Sequence, residues 1–276
     1  MDDQLRRRSV GAPAARSVLL TVLGEYVLPN GGGAWQATLI GALATMDYRP
    51  ATARQALMRS VAAGWLETER RGRRSRCTLS AATGAMLQTG AERIYGFGDP
   101  RSWDGRWLVV VLRVPEEQRA VRHRVRTRLA WAGFGSLGGG LWISPYVDRE
   151  EEVSALAAAD TSAELLCFRA ELGAVGQARE VVAEAWDLDA LDAAYHEFIE
   201  RFAGLRPKAP EAVFAVQTLL VHHWRKFPFL DPDLPPRMIP ARAARGRALE
   251  LFRERHERWG QTAQSYFRSL DAVAGA

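Results

Sequence analysis

The sequence predicts an α+β protein with a winged helix-turn-helix at its N-terminus, a middle part in which strands and helices alternate, and a helical C-terminal third. Three observations lead there. Arg49–Val61 reads as a helix and passes through Gly64-Trp65-Leu66 into the arginine-rich run Glu67–Leu79, the order of a groove-entering helix followed by a hairpin wing. Residues 1–80 hold 12 Arg and no Lys against 6 Asp and Glu, a net of +6, whereas the whole chain is +5, so residues 81–276 sum to −1. The basic excess thus sits where DNA phosphates would be met. Beyond residue 100, apolar strand-like runs alternate with helix-period stretches, and then helices follow, separated by proline-rich turns.

Residues 1–15 carry two acids, three arginines and no apolar core of signal-peptide type, and read as a disordered basic arm on a cytoplasmic protein. The first helix is expected over 16–28, ending in the turn set Pro29–Gly33, and the second over Trp35–Thr45 with Leu39, Ile40 and Leu43 on one face. A turn at Met46–Tyr48 opens the third helix, whose Pro50 suits a first helical position that needs no N–H. Its inward set is Ala53, Ala56, Leu57 and Val61, which leaves Thr52, Arg54, Gln55, Met58 and Arg59 for a DNA groove. Gln55, Arg54 and Arg59 are the candidates for base edges. The hairpin rises through Trp65, Leu66 and Thr68, turns at Gly72 and returns through Cys77, Thr78 and Leu79. Arg70, Arg71, Arg73, Arg74 and Arg76 flank that turn, where guanidinium groups fork onto phosphates or enter a narrow minor groove; the bland alternative is a solvated charged hairpin. The DNA-binding domain is placed at 16–90.

In the middle part, Arg106–Val114, Leu141–Ile143 and Leu165–Phe168 read as strands, and Glu116–Trp131 and Glu150–Ala159 as helices, the pattern of a split β-α-β unit. Val121, Val125 and Leu129 form the apolar stripe of the first of these helices. Its basic residues Arg119, Arg122, His123, Arg124, Arg126 and Arg128 could meet DNA or a coenzyme phosphate, or form a solvated or subunit-contact face. Gly135–Gly140 lacks the Lys-Ser/Thr ending of a phosphate loop and is expected to be a hairpin turn. The first strand ends in Arg113-Val114-Pro115, with acids only at Glu116 and Glu117, which disfavours metal-dependent phosphodiester cleavage. No nucleophile elbow and no metal-ligand spacing is present, so the expectation is a protein that is not an enzyme, with no catalytic residue, metal or cofactor. Cys77 and Cys167 are expected to be free thiols. The longest apolar runs fall far short of the roughly 20 residues of a membrane span.

Helices are expected near Leu188–Gly204, Pro210–Lys226 and Ala241–Trp259. The cluster His222, His223, Trp224, Arg225, Lys226 has two readings: cations at a helix C-terminus, or an effector pocket in which Trp224 and Phe227 pack an apolar group and Arg225 and Lys226 meet phosphates. Trp107 and Trp142 either line that pocket or belong to the core.

Several blocks in order, Arg16–Tyr26, Gly64–Glu67, Gly72–Ser75, Arg93–Gly96, Trp103–Trp107, Trp131–Gly135, Leu141–Pro145 and His222–Pro236, resemble the PaaX family of bacterial transcriptional regulators over almost the whole length. The resemblance implies a winged helix, a ferredoxin-like middle domain at 100–178 similar to a small CRISPR adaptation nuclease, and a helical C-terminal domain at 179–276. It also implies a homodimeric repressor of a catabolic operon, of aryl-acid or phenylacetate type, released from double-stranded operator DNA by an acyl-coenzyme A, phenylacetyl-coenzyme A being the family's best-known effector. The departures fall in the third helix: Arg49 stands where the family tends to have a Ser-type cap, and Ser60 where it tends to have Leu. The competing readings are an acyl-coenzyme A or nucleic-acid enzyme on a winged-helix scaffold, and an assembly module that uses the winged helix for protein contacts.

Overall fold

The computed structural model describes residues 13–99, 101–235, 238 and 243–276; the arm expected over 1–15 lies outside them as far as residue 12. The helices in chain order are α1 (Ala15–Val22), α2 (Gln36–Ala44), α3 (Pro50–Ala62), α4 (Ala81–Tyr95), α5 (Arg119–Trp131), α6 (Glu150–Ala159), α7 (Ala178–Ala185), α8 (Leu188–Phe202), α9 (Pro210–Trp224), α10 (Phe227–Leu230) and α11 (Ala243–Gly275). The strands are β1 (Gly33–Trp35), β2 (Leu66–Arg71), β3 (Arg74–Leu79), β4 (Arg106–Arg113), β5 (Gly135–Ser136), β6 (Leu141–Ser144) and β7 (Glu164–Glu171). Compactness groups them into two units, one from the chain up to Tyr95 with Glu200–Trp224 and Glu250–Ala276, the other from Gly96–Ile199 with Arg225–Leu249. Residues 179–276 are thus shared between the units.

In the first unit α1 continues through a π-helical stretch, Leu23–Val27, and buries Val18, Leu19, Val22, Leu23 and Tyr26. That stripe meets Leu39, Ala42 and Leu43 of α2 and Ala53, Ala56 and Leu57 of α3 in one core, the small alanines letting the helices approach closely. Ser60, not the expected Val61, completes the inward face of α3. Ser60 is fully buried and its hydroxyl donates to the Ala56 carbonyl at 2.9 Å, while Val61 is 36% exposed. The physical reason is angular: 53, 56, 57 and 60 follow the 3.6-residue period more closely than 53, 56, 57 and 61. Phe214 of α9 and Phe267 of α11 close the same core over Tyr26, with ring centroids 4.8 and 5.4 Å away, and the Tyr26 hydroxyl is hydrogen-bonded to Thr218 at 3.0 Å.

Three elements of this unit differ from the sequence expectation. Trp35 ends β1 instead of starting a helix, because β1 pairs antiparallel with β3 (Trp35 opposite Arg76) and the Trp35 N–H donates to Asp271 at 2.9 Å. Helix α4 is added; Gly84 and Gly90 weaken its helical pattern, and Ser80 caps it by accepting the Thr83 N–H at 3.3 Å. Helix α11 runs 33 residues, to Gly275 instead of Trp259. Trp259, Ala263 and Phe267, four residues apart, are all buried, and that burial outweighs the helix-weakening Gly260.

The second unit holds a four-stranded antiparallel sheet of order β5-β6-β4-β7 within the chain order β4-α5-β5-β6-α6-β7, the ferredoxin-like arrangement. Leu108, Val110 and Leu112 point to one face and pack with Val125 and Leu129 of α5 and Val153 and Leu156 of α6. Trp107 and Ile143 point to the other face, where they meet Val182, Trp186, Leu234 and Met238. The glycine-rich segment is the expected hairpin, joining β5 to β6 with Leu141 N–H bonded to Gly138 O at 2.8 Å. Asp231, 2% exposed, accepts from the Tyr195 hydroxyl at 2.7 Å, Arg245 Nε at 3.1 Å and the Asp233 N–H at 2.8 Å, so the acid of the Asp-Pro-Asp sequence is a structural latch. Cys77 and Cys167 are free, and burial raises both thiols above their ordinary range. No described helix is long and apolar enough to cross a membrane.

Candidate DNA interface

Helix α3 begins at Pro50 after an extended Arg49 that makes no side-chain cap. With Ala53, Ala56, Leu57 and Ser60 turned into the core, Thr52, Arg54, Gln55, Met58 and Arg59 stand exposed, Met58 at 70%. Thr52, Gln55 and Arg59 lie at helical spacing along one stripe, with Arg54 and Met58 beside it. Arg49, which sequence reasoning treated only as a departure from a cap, is also exposed at the N-terminal end of this face. The helix contains no acid, so nothing on it repels a phosphate backbone.

The hairpin β2–β3 pairs Arg71 opposite Arg74 and turns on two residues, Gly72 and Arg73. Gly72 has φ 62°, the left-handed value that the first position of a tight type II′ turn requires. Like charges facing each other across strands are unfavourable, and local acceptors relieve this pair. Glu69 accepts two hydrogen bonds from Arg71, at 3.0 and 2.8 Å, and the Gly275 carbonyl accepts one from Arg74. The five wing arginines are therefore not equivalent. Arg70, Arg71, Arg73 and Arg74 are all exposed near the tip, Arg74 with its bond to Gly275. Arg76 is half-buried; it donates to Gly33 O at 3.2 Å, lies 3.9 Å from Asp271 and stacks over Trp35 at 5.5 Å. Sequence reasoning missed Asp271, because nothing near it in the chain signals that it faces the wing, 195 positions away from Arg76.

Glu25, in the π-helical stretch, ties further helices of the first unit to α1. Its carboxylate accepts from His256 Nε2 at 2.8 Å, Gln217 Nε2 at 3.3 Å and the Tyr95 hydroxyl, and its carbonyl accepts from Gln264 Nε2 at 2.6 Å. Helices α4, α9 and α11 are thereby tied to α1 and so to the scaffold of α3.

Of the expected effector residues, His222, His223 and Trp224 belong to the first unit and Trp107, Trp142, Arg225 and Lys226 to the second. Trp107 and Trp142 lie on opposite faces of the second-unit sheet, since Trp142 is opposite Val110 and Trp107 is three positions before it; a period of two puts them on different sides, and they cannot line one pocket. Trp224 is fully buried in the first unit, its ring stacked on Phe252 at 4.5 Å, and Phe227 is stacked on Tyr195 at 4.3 Å in the second, so protein already fills their faces. His222 Nδ1 is hydrogen-bonded to Thr21 Oγ1 at 3.0 Å, and His223 tilts against Phe202 at 5.7 Å. Arg225 is half-buried, with its pKa lowered by that burial, and Lys226 sits 5.3 Å over Phe227. Helix α9 stops at Trp224, not Lys226, because Pro228 has no N–H for the Trp224 carbonyl and its ring crowds it.

Comparison with known proteins places these elements. Residues 14–83 match the family described as PaaX-like protein, 100–182 the PaaX protein central Cas2-like domain, and 186–269 the PaaX-like protein C-terminal domain. The chain is 30% identical over 261 residues to the transcriptional repressor PaaX of Escherichia coli (strain K12), covering 91% of this chain and 82% of the relative. The chain belongs to the PaaX family. A solved structure of an uncharacterized Mycobacterium tuberculosis protein shares the fold, with a TM-score of 0.59 at 23% identity over 96% of this chain and 100% of that one. Within a PaaX-family chain the first match contains α1 to β3, the part with the exposed basic helix face and arginine-tipped hairpin.

Proposed function

We propose that this PaaX-family protein is a ligand-released repressor that binds a partly palindromic operator as a homodimer, α3 in the major groove and the hairpin on the flanking phosphates. The reading rests most on one observation: α3 exposes Thr52, Arg54, Gln55, Met58 and Arg59 on a helix without acids, next to a wing whose tip exposes Arg70, Arg71, Arg73 and Arg74. Arg54 and Arg59 suit guanine edges and Gln55 an adenine edge, while the wing arginines supply sequence-independent attraction. The regulated genes are those of an aryl-acid or phenylacetate-type catabolic operon, and the releasing ligand is phenylacetyl-coenzyme A or a related acyl-coenzyme A. Release requires that this ligand bind a DNA-incompetent arrangement more tightly than the competent one.

The test is binding of the purified protein to DNA from its own upstream region and neighbouring promoters, at two salt concentrations, with and without phenylacetyl-coenzyme A. Site-selective, salt-dependent binding that the thioester abolishes is expected. Selective binding indifferent to the thioester would remove the effector from the reading, and the absence of selective binding would remove the repressor itself.

A further inference from the structure

A cleft of about 1050 Å³ in the second unit lies at one end of the four-stranded sheet between α5, the glycine-rich hairpin and the loop after α6. Its floor is apolar, formed by Leu112, Trp142 and Ala163. Its rim is cationic: Arg122 and Arg126 come from successive turns of α5 and Arg113 from the end of β4, against one acid, Glu164. Glu164 is already taken, since it lies opposite Arg113 across the ladder and accepts from its guanidinium at 3.3 Å. Arg122 donates only to the carbonyls of Val114 and Pro115, at 3.1 and 3.4 Å, and neither it nor Arg126 meets a carboxylate among the described residues. Two guanidinium groups beside an apolar floor without a counter-charge create a potential that an anion would satisfy.

The hairpin adds backbone donors. Gly138, Gly139 and Gly140 all have positive φ, and among the described residues the N–H groups of Gly139 and Gly140 reach no protein acceptor. A Cβ on Gly140 would stand 2.4 Å from the Leu112 carbonyl, so that glycine lets the loop lie against the strand end that forms the floor. The volume is at the upper end of the usual range for small-molecule sites, too large for an inorganic ion alone.

We propose that this cleft binds an amphiphilic small-molecule anion, with its phosphate or carboxylate on Arg122, Arg126 and the Gly139–Gly140 amides and its apolar group over Trp142. As the seat of the releasing ligand it rests on the ligand-dependent half of the proposed function. It also absorbs two sequence features left over, the basic face of α5 and the glycine-rich segment, into one site.

The experiment is calorimetric titration of the full chain, without DNA, with inorganic pyrophosphate, phenylacetate and phenylacetyl-coenzyme A, in the wild type and in Arg126→Glu and Arg122→Ala. The thioester should bind more tightly than either fragment, and each fragment should compete with it. Pyrophosphate and thioester binding should weaken roughly tenfold or more in Arg126→Glu, the loss of a charge-assisted contact, with circular dichroism and operator affinity unchanged. Arg126 is exposed and forms no hydrogen bond or ion pair among the described residues, so its reversal should leave the fold intact. Unchanged affinities in both variants would overturn the proposal, as would a wild type that binds none of the three probes. A loss of DNA affinity with intact probe binding would overturn it too, making α5 a phosphate-contacting DNA face. Wild-type protein that binds the thioester here but no operator would sink the repressor reading and leave the cleft standing.

Discussion

Under the proposed operator reading, Gln55 and Arg73 illustrate two ways in which one side chain would act on DNA. Gln55 is exposed in the centre of the α3 face, where a bidentate amide contact would read one base pair. Gln55→Ala should therefore relax preference at a single operator position by about 1–3 kcal/mol, measured as affinities for a set of single-base operator variants; a uniform loss across the set would count against base readout. On the same reading Arg70 and Arg73 meet phosphates, which carry no sequence information, so Arg70→Ala with Arg73→Ala should lower affinity for every sequence and flatten the log–log salt slope by about 0.9 per lost phosphate contact. An unaltered slope would take the wing tip off the DNA. Tyr48 gives a titratable counterpart. Its hydroxyl donates to the Pro13 carbonyl at 2.6 Å, and burial pushes its pKa from 10.0 to about 12. The folded chain holds that proton more tightly than the unfolded one, so the stabilisation is complete below pH 10.0 and is lost as pH rises through about 12. Tyr48→Phe should flatten the fall in stability across that window in urea titrations at stepped pH.

At the scale of elements, the strand, hairpin and helix signals near the DNA face were legible because each is local. Pro50, Gly72 and the unbroken apolar run of β4 state their own conformations, and α6 matches its expected span residue for residue. The elements that were not legible depend on distant partners. Trp35 joins β1 because β3 and Asp271 supply its partners, and α11 passes through Gly260 because Ala263 and Phe267 are buried in the first unit. The side of Gly260 where a Cβ would project is open, so Gly260→Ala should stabilise the protein by about 0.5–1 kcal/mol through helix propensity, read by denaturant unfolding. Asp271→Ala acts in the opposite direction. It strips an acceptor from the Trp35 N–H and from the Thr38 hydroxyl, which donates at 2.8 Å, and should cost about 1–3 kcal/mol while freeing Arg76.

At the scale of the whole molecule, the proposed DNA face belongs to a unit whose core is drawn from both ends of the chain. Phe214 and Phe267 pack on Tyr26, and Glu25 gathers Tyr95, Gln217 and His256. Phe267→Ala, far from α3 in sequence, should therefore destabilise the first unit by about 3–5 kcal/mol and weaken operator binding at temperatures where the wild type is still folded. Thermal melts followed by operator titration below the mutant's midpoint separate lost folding from lost contact. Intact stability would mean that α11 is an accessory to the N-terminal core and not part of it.

The sequence by itself determined the α+β class, the third helix and its hairpin, the alternation of the middle sheet, and the exposed character of Thr52, Arg54, Gln55, Met58 and Arg59, because periodicity, turn chemistry and charge are properties of neighbours along the chain. Tertiary structure alone decided that Arg74 and Arg76 are held by Gly275 and Asp271, and that Trp107 and Trp142 stand back to back. It also decided that Trp224 is core and that Arg122, Arg126 and Gly138–Gly140 surround one cleft. The physical reason is the same throughout: burial and ion pairing depend on which surfaces meet in space, and residues far apart along the chain leave no local pattern that says they will.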